Sequence, residues 1–189
     1  MKHIRLFEEY SGEHYNQSLN EMRVQTPTFD NLISVLTELL KEYDDAEVSW
    51  QQCTYISGMI RWIFERYSIE SKLMSATVTD NTPNRMSWTD TLDEFHNFIV
   101  SNGKSIDFTM GQFFYKDIQF PLILDVDSDA FIKIYREVQD DEKRYLDDIK
   151  SIYDNKELYW DENNKEYTND YVEINEMLSY VDKIIEIFG

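Results

Sequence analysis

The 189 residues suffice for one hydrophobic core, and a 42% hydrophobic, 15% aromatic composition with five Gly and three Pro excludes a disordered chain. The formal charge of −19, from 37 acidic and 18 basic residues, repels phosphate backbones and anionic membranes, so direct nucleic-acid binding is not expected. No apolar run reaches the roughly 20 residues of a membrane span, the start is charged where a signal peptide is apolar, and one cysteine forms no internal disulfide, so the expectation is a single cytoplasmic domain over residues 1–189.

In chain order, the apolar spacing from Ile4 to Met22 predicts a helix, broken near Ser11-Gly12. Thr28 is placed to cap a second helix, in which Leu32, Ile33, Val35, Leu36, Leu39 and Leu40 share one wide face up to Tyr43. A third helix is expected over Val48 to Tyr67 with Ser49 as its N-cap, which puts Cys53 in the first turn or two. Leu73 to Val78 reads as a strand, followed by a loop around Pro83.

Phe95 to Val100 and Ser105 to Thr109 flank Asn102-Gly103, the strongest short signal for a two-residue hairpin turn. Phe113 to Val126, with Pro121 inside it, predicts one more strand or an extended packing segment. Helices are expected over Asp129 to Val138, Asp141 to Tyr153 and Val172 to Phe188, which makes residues 128–189 an acidic, helical C-terminal part. A small, partly antiparallel sheet with helices before and after it is an α+β fold.

The hairpin register has a chemical consequence. With Asn102-Gly103 as the loop, Ser101 opposes Lys104, Val100 opposes Ser105 and Ile99 opposes Ile106; continued outward, Phe98 would face Asp107 and His96 would face Thr109. His96 and Asp107 then project from one face as diagonal neighbours about 7 to 8 Å apart, a gap that an imidazole and a carboxylate can close. An imidazole so oriented can take a thiol proton, and a thiol near a helix start has a lowered pKa, so Cys53, His96 and Asp107 are the candidate catalytic residues. His3 and His14 lie in the N-terminal segment, where no acid has a comparable strand geometry and Glu13-His14 reads as an exposed ion pair.

The run Gln52-Cys53-Thr54-Tyr55-Ile56-Ser57, an aliphatic strand, Phe95-His96-Asn97-Phe98 and Gly103 to Thr109 together resemble the core of transglutaminase-like proteins. There a helix with Cys, a strand with His and a next strand ending in Asp follow in that order. The resemblance covers residues 48–114, and Asp107-Phe108-Thr109 with Gln112-Phe113 is also similar to papain-like amidases. It implies a thiol acting on an amide or acyl group of a protein or peptide, by hydrolysis or transfer to an amine, without a cofactor. The Cys53 backbone N–H and the Gln52 or Gln112 side chain would be the oxyanion donors, and Trp50 would lie beside the substrate.

Other signals carry less. Asp125, Asp127 and Asp129 alternate like calcium ligands, but the glycine of such a loop is missing, and no Cys/His pair has zinc spacing, so no metal is expected. Residues 137–189 hold sixteen acidic and six basic side chains, which supports a rival reading: an inactive acidic binding or inhibitor protein that mimics nucleic acid and takes a basic protein partner through that third.

Overall fold

The computed structural model describes residues 27–49, 52–79, 93–113, 119–169 and 172–189. The helix expected over Ile4 to Met22, Trp50 and the loop around Pro83 fall outside the described residues.

Helix α1 (Phe29–Leu39) starts where expected, its Asn31 N–H donating to Thr28 Oγ1 at 3.3 Å. A 3₁₀ turn (Lys41–Asp44) and a short α2 (Ala46–Ser49) follow. The Cys53 helix, α3 (Cys53–Arg66), is shorter than expected: Ser49 closes α2, its hydroxyl turned back onto the Asp45 carbonyl, and Gln52 occupies the N-cap of α3 without a side-chain capping bond. Cys53 is therefore the first residue of its helix, where the backbone N–H groups have no intrahelical acceptor.

Five strands form one antiparallel sheet in the order β4-β3-β2-β1-β5: β1 (Lys72–Thr79), β2 (Asp93–Ser101), β3 (Lys104–Asp107), β4 (Leu122–Asp125) and β5 (Tyr135–Asp140). The hairpin register is the expected one at Ser101↔Lys104, Val100↔Ser105 and Ile99↔Ile106. Asn102 and Gly103 both have positive φ, as a type I′ turn requires. Beyond Ile99 the expected pairing of Phe98 with Asp107 and of His96 with Thr109 stops; β3 turns toward β4, where Asp107 pairs with Leu122, and His96 pairs with Ala76 of β1.

The fifth strand corrects the expectation for residues 129–138. Helix α4 (Asp129–Ile134), capped by Ser128, ends at Tyr135, and the chain continues as an edge strand on β1. Pairing with β1 outweighs the helical pattern there, with a bulge at Glu137, whose φ is +51°.

The expected 141–153 helix is three pieces: α5 (Glu142–Arg144), a π-helical turn (Tyr145–Ile149) and α6 (Lys150–Asp154). The C-terminal part also carries a two-stranded hairpin, β6 (Trp160–Asp161) and β7 (Glu166–Tyr167), before α7 (Val172–Phe188), so it is not wholly helical. Among the described residues no helix is long and apolar enough to cross a membrane.

Neighbouring residues on a strand point to opposite faces, and the sheet is buried on both. Leu73, Ile99 and Ile106 pack against α1, α3, α7 and the π turn in the larger core. Ala76, Phe98, Leu122, Phe131 and Tyr135 form a smaller one on the other face. Gly58 lets the π turn approach α3, since a Cβ there would lie 2.5 Å from Ile149 Cγ2.

Candidate active site

The end of the hairpin ladder builds the site. In a two-residue hairpin Ser101 and Ile99 turn their N–H and C=O groups toward β3, and alternation aims those of Asn97 the same way. By then β3 has left, and α3 takes its place. Ser57 Oγ donates to the Asn97 carbonyl at 3.1 Å, and the Asn97 backbone N–H hydrogen-bonds the Cys53 thiol. The Asn97 side chain, fully buried, accepts from Thr54 Oγ1 (2.8 Å) and donates to the Met74 carbonyl (3.2 Å) and Asp141 Oδ2 (2.9 Å). The first turn of α3 is thus fixed to the open edge of β2.

His96 extends from β2 on the face of the smaller core. Its Nε2 lies 2.6 Å from Asp107 Oδ2, and its ring hydrogen-bonds the Cys53 side chain. Cys53 is 7% exposed, His96 0% and Asp107 1%. The three residues expected to act together are therefore in contact, and the diagonal His96–Asp107 relation holds although their strands do not pair directly there.

Asp107 is held on both oxygens. Oδ1 accepts from the Thr109 N–H (2.8 Å) and Oγ1 (3.2 Å); Oδ2 accepts from Tyr135 Oη (2.7 Å) as well as from His96. Burial disfavours the carboxylate, but the His96 charge and these hydrogen bonds outweigh it and hold the pKa below the ordinary carboxylate value. Burial likewise opposes a charged imidazole, yet Asp107 and then Cys53 push His96 up to about 10. For Cys53, burial raises the thiol pKa, and the hydrogen bond and charge of His96, aided by the Asn97 N–H, reverse this to a net lowering. All three directions favour a thiolate–imidazolium pair.

The expected oxyanion donors separate. Gln112, on a 3₁₀ turn (Met110–Phe113), places Nε2 3.1 Å from His96 Nδ1, so its carboxamide sits on the ring nitrogen away from Asp107. Gln52 immediately precedes Cys53, and its buried Oε1 has no hydrogen-bond partner among the described residues. Phe113 meets the His96 ring edge-on at 5.0 Å. A small depression bordered by Asp44, Asp107, Gly111, Gln119 and Phe120 reaches Asp107 and not the Cys53 thiol. Asp125 ends β4 and pairs with Lys104 at 3.0 Å; among the described residues no group of three or more His, Cys, Asp or Glu side chains is placed to hold a metal ion.

Asn97 and Tyr135 escaped the sequence reading. Asn97 had one local signal, an amide within the apolar run Phe95 to Val100, where a buried polar side chain needs partners. Tyr135 had none, because it reaches Asp107 only through a strand pairing that the local pattern hides.

No protein-family model, curated protein or solved structure matches this chain.

Proposed function

We propose that this protein is a thiol-dependent amide or acyl hydrolase or acyltransferase of transglutaminase-like or papain-like type, with Cys53 as nucleophile, His96 as general base and acid, and Asp107 as orienter. One observation carries the reading: the only cysteine of the chain is hydrogen-bonded to a histidine whose other side is held by a buried carboxylate at 2.6 Å. The Cys53 thiolate would add to the carbonyl carbon, and the imidazolium would protonate the departing amine or thiol to leave an acyl-thioester. Neutral His96 would then take a proton from water or an acceptor amine as it attacks the thioester, restoring the pair.

The test is the rate of iodoacetamide labelling of Cys53 against pH. Labelling that stays fast below pH 7 is expected, because an unassisted thiol has a pKa near 8.5. An ordinary thiol profile, or labelling slow at every pH, would remove the reading. Mass-spectrometric capture of an acyl group on Cys53 from an activated ester supplies the second arm, with Cys53→Ala as control.

A second reading, an acidic binding or inhibitor protein engaging a basic partner through residues 137–189, is favoured by the exposure of Glu137, Asp140, Asp147, Asp148, Asp154, Glu157, Glu162 and Glu166. Reversing four of these charges would abolish such binding, whereas Cys53→Ala would leave it intact.

A further inference from the structure

We infer that Tyr135 is a positioning residue of this thiol site: from the far edge of the sheet its hydroxyl fixes the Asp107 oxygen that orients His96. The inference rests on the proposed chemistry and adds a residue outside the 48–114 core.

Tyr135 opens β5, which is separated from β3 and its Asp107 by β1 and β2. Its ring crosses that distance in the smaller core, against Phe98 at 4.5 Å and Phe131 at 4.9 Å, and lies nearly parallel to His96, with 13° between planes and 6.4 Å between centroids. The hydroxyl, 2.7 Å from Oδ2, donates to the same oxygen that accepts from His96 Nε2 at 2.6 Å. A carboxylate free to turn about its Cβ–Cγ bond could offer either oxygen, or neither, to the ring. With Thr109 donating twice to Oδ1 and Tyr135 donating to Oδ2, rotation would break three hydrogen bonds, and Oδ2 stays aimed at Nε2.

Tyr135 also acts on charge. With Oδ2 held on Nε2 the carboxylate stabilises the imidazolium, which in turn lowers the thiol pKa. Among the described residues the titratable groups that face this cluster are Cys53 from α3, His96 from β2, Asp107 from β3 and Tyr135 from β5, with Asp44 on the depression beside Asp107. Phe98, Phe113 and Phe131 supply the apolar remainder.

Tyr135→Phe keeps the ring and its packing and removes one hydrogen bond. Two measurements on the full chain test it: the pH profile of Cys53 labelling by iodoacetamide, and the titration of the His96 ring nitrogens by ¹⁵N NMR. The expected result is labelling about tenfold slower at pH 6.5, with the wild-type rate regained near pH 9.5, and a downward shift of about one unit in the His96 midpoint, the scale of a hydrogen bond to a charged group. Tyr135→Phe curves that overlay the wild type, or a loss equal at all pH values, would overturn the positioning role. A wild-type His96 titrating near 6.5 would instead sink the thiol chemistry itself, so the two failures are distinguishable. In an Asp107→Asn protein, adding Tyr135→Phe should change neither readout; a further change there would show that Tyr135 does not act through Asp107.

Discussion

Ser57 donates to the backbone carbonyl of Asn97 across 3.1 Å at the place where β3 has left β2, so a helix completes the strand's hydrogen bonding. One residue of β2 thereby fixes both the depth and the rotation of α3. The thiol at the first position of that helix meets the imidazole one residue back along the strand. The site follows from a strand that ends early and a helix that begins late.

Asn97→Ala should therefore lower stability and loosen the thiol together. Truncation strands the Asp141 carboxylate, the Met74 carbonyl and the Thr54 hydroxyl in a half-buried setting, and the cost is about 2 to 3 kcal/mol. Urea unfolding reads the first effect; the second appears as loss of the fast labelling of Cys53 below pH 7. A stable Asn97→Ala protein with an unchanged labelling profile would show that the asparagine does not anchor the helix.

The two close-approach glycines should respond differently to alanine. At Gly111 a Cβ would lie 2.6 Å from the Asp44 carbonyl oxygen and 3.3 Å from that of Tyr43, and backbone cannot yield as a side chain does. Gly111→Ala should cost about 1 to 3 kcal/mol and move the turn that presents Gln112. At Gly58 the obstacle is the Ile149 side chain, so Gly58→Ala should cost little when added to Ile149→Ala, itself destabilised by a core cavity and measured alone as the reference, and should be helped there by roughly 1 kcal/mol of helix propensity. Thermal unfolding of the three single variants and the double variant checks both statements; equal losses at the two glycines would contradict them.

Stability should follow the His96–Asp107 pair across pH. Asp107 is depressed in the fold, so its contribution is present above its ordinary value near 3.9 and is lost as pH falls through its lowered folded value. His96 is raised to about 10, so its contribution is complete below its ordinary value near 6.5 and is lost as pH rises from there through about 10. Both are at full strength between roughly pH 4 and 6.5. Removing one partner of a buried pair costs about 3 kcal/mol, so Asp107→Asn should show that deficit near pH 6 and less of it toward either limit. Urea titrations at pH 3, 6 and 10 measure the gap; a deficit constant with pH would mean that the pair is not ionised in the folded protein.

The legible parts of this fold are those specified by short-range chemistry. Asn102-Gly103 sets the hairpin register, and the register places His96 and Asp107 on one face; Thr28 and the apolar face behind it mark α1. Long-range pairing accounts for the rest. Tyr135–Asp140 is an edge strand whose sheet partner among the described residues, β1, lies some sixty residues earlier, and its Arg136 and Glu137 suit a helix as well as a strand. The start of α3 was misplaced because Ser49 is a good cap in isolation, whereas in the fold it closes the preceding turn. The Cys53–His96–Asp107 contact could be anticipated from order and spacing, but its supports could not: Asn97 and Tyr135 act through contacts 43 and 28 residues distant in sequence.

Gln112 separates two roles for one carboxamide. As an oxyanion donor it would have to face the carbonyl carbon's oxygen above the thiol, yet it lies 3.1 Å from His96 Nδ1. When the ring is neutral, the amide N–H donates to Nδ1; when the ring is charged, Nδ1–H donates, and the thiolate and the carboxamide oxygen compete to accept it. Gln112→Leu, which removes the amide without adding charge, should keep labelling within about fivefold of wild type, since one neutral hydrogen bond is worth about 1 kcal/mol or less here. Should acyl transfer fall by a hundredfold or more while labelling stays in that range, the side chain serves the oxyanion and swings away from His96 when substrate arrives.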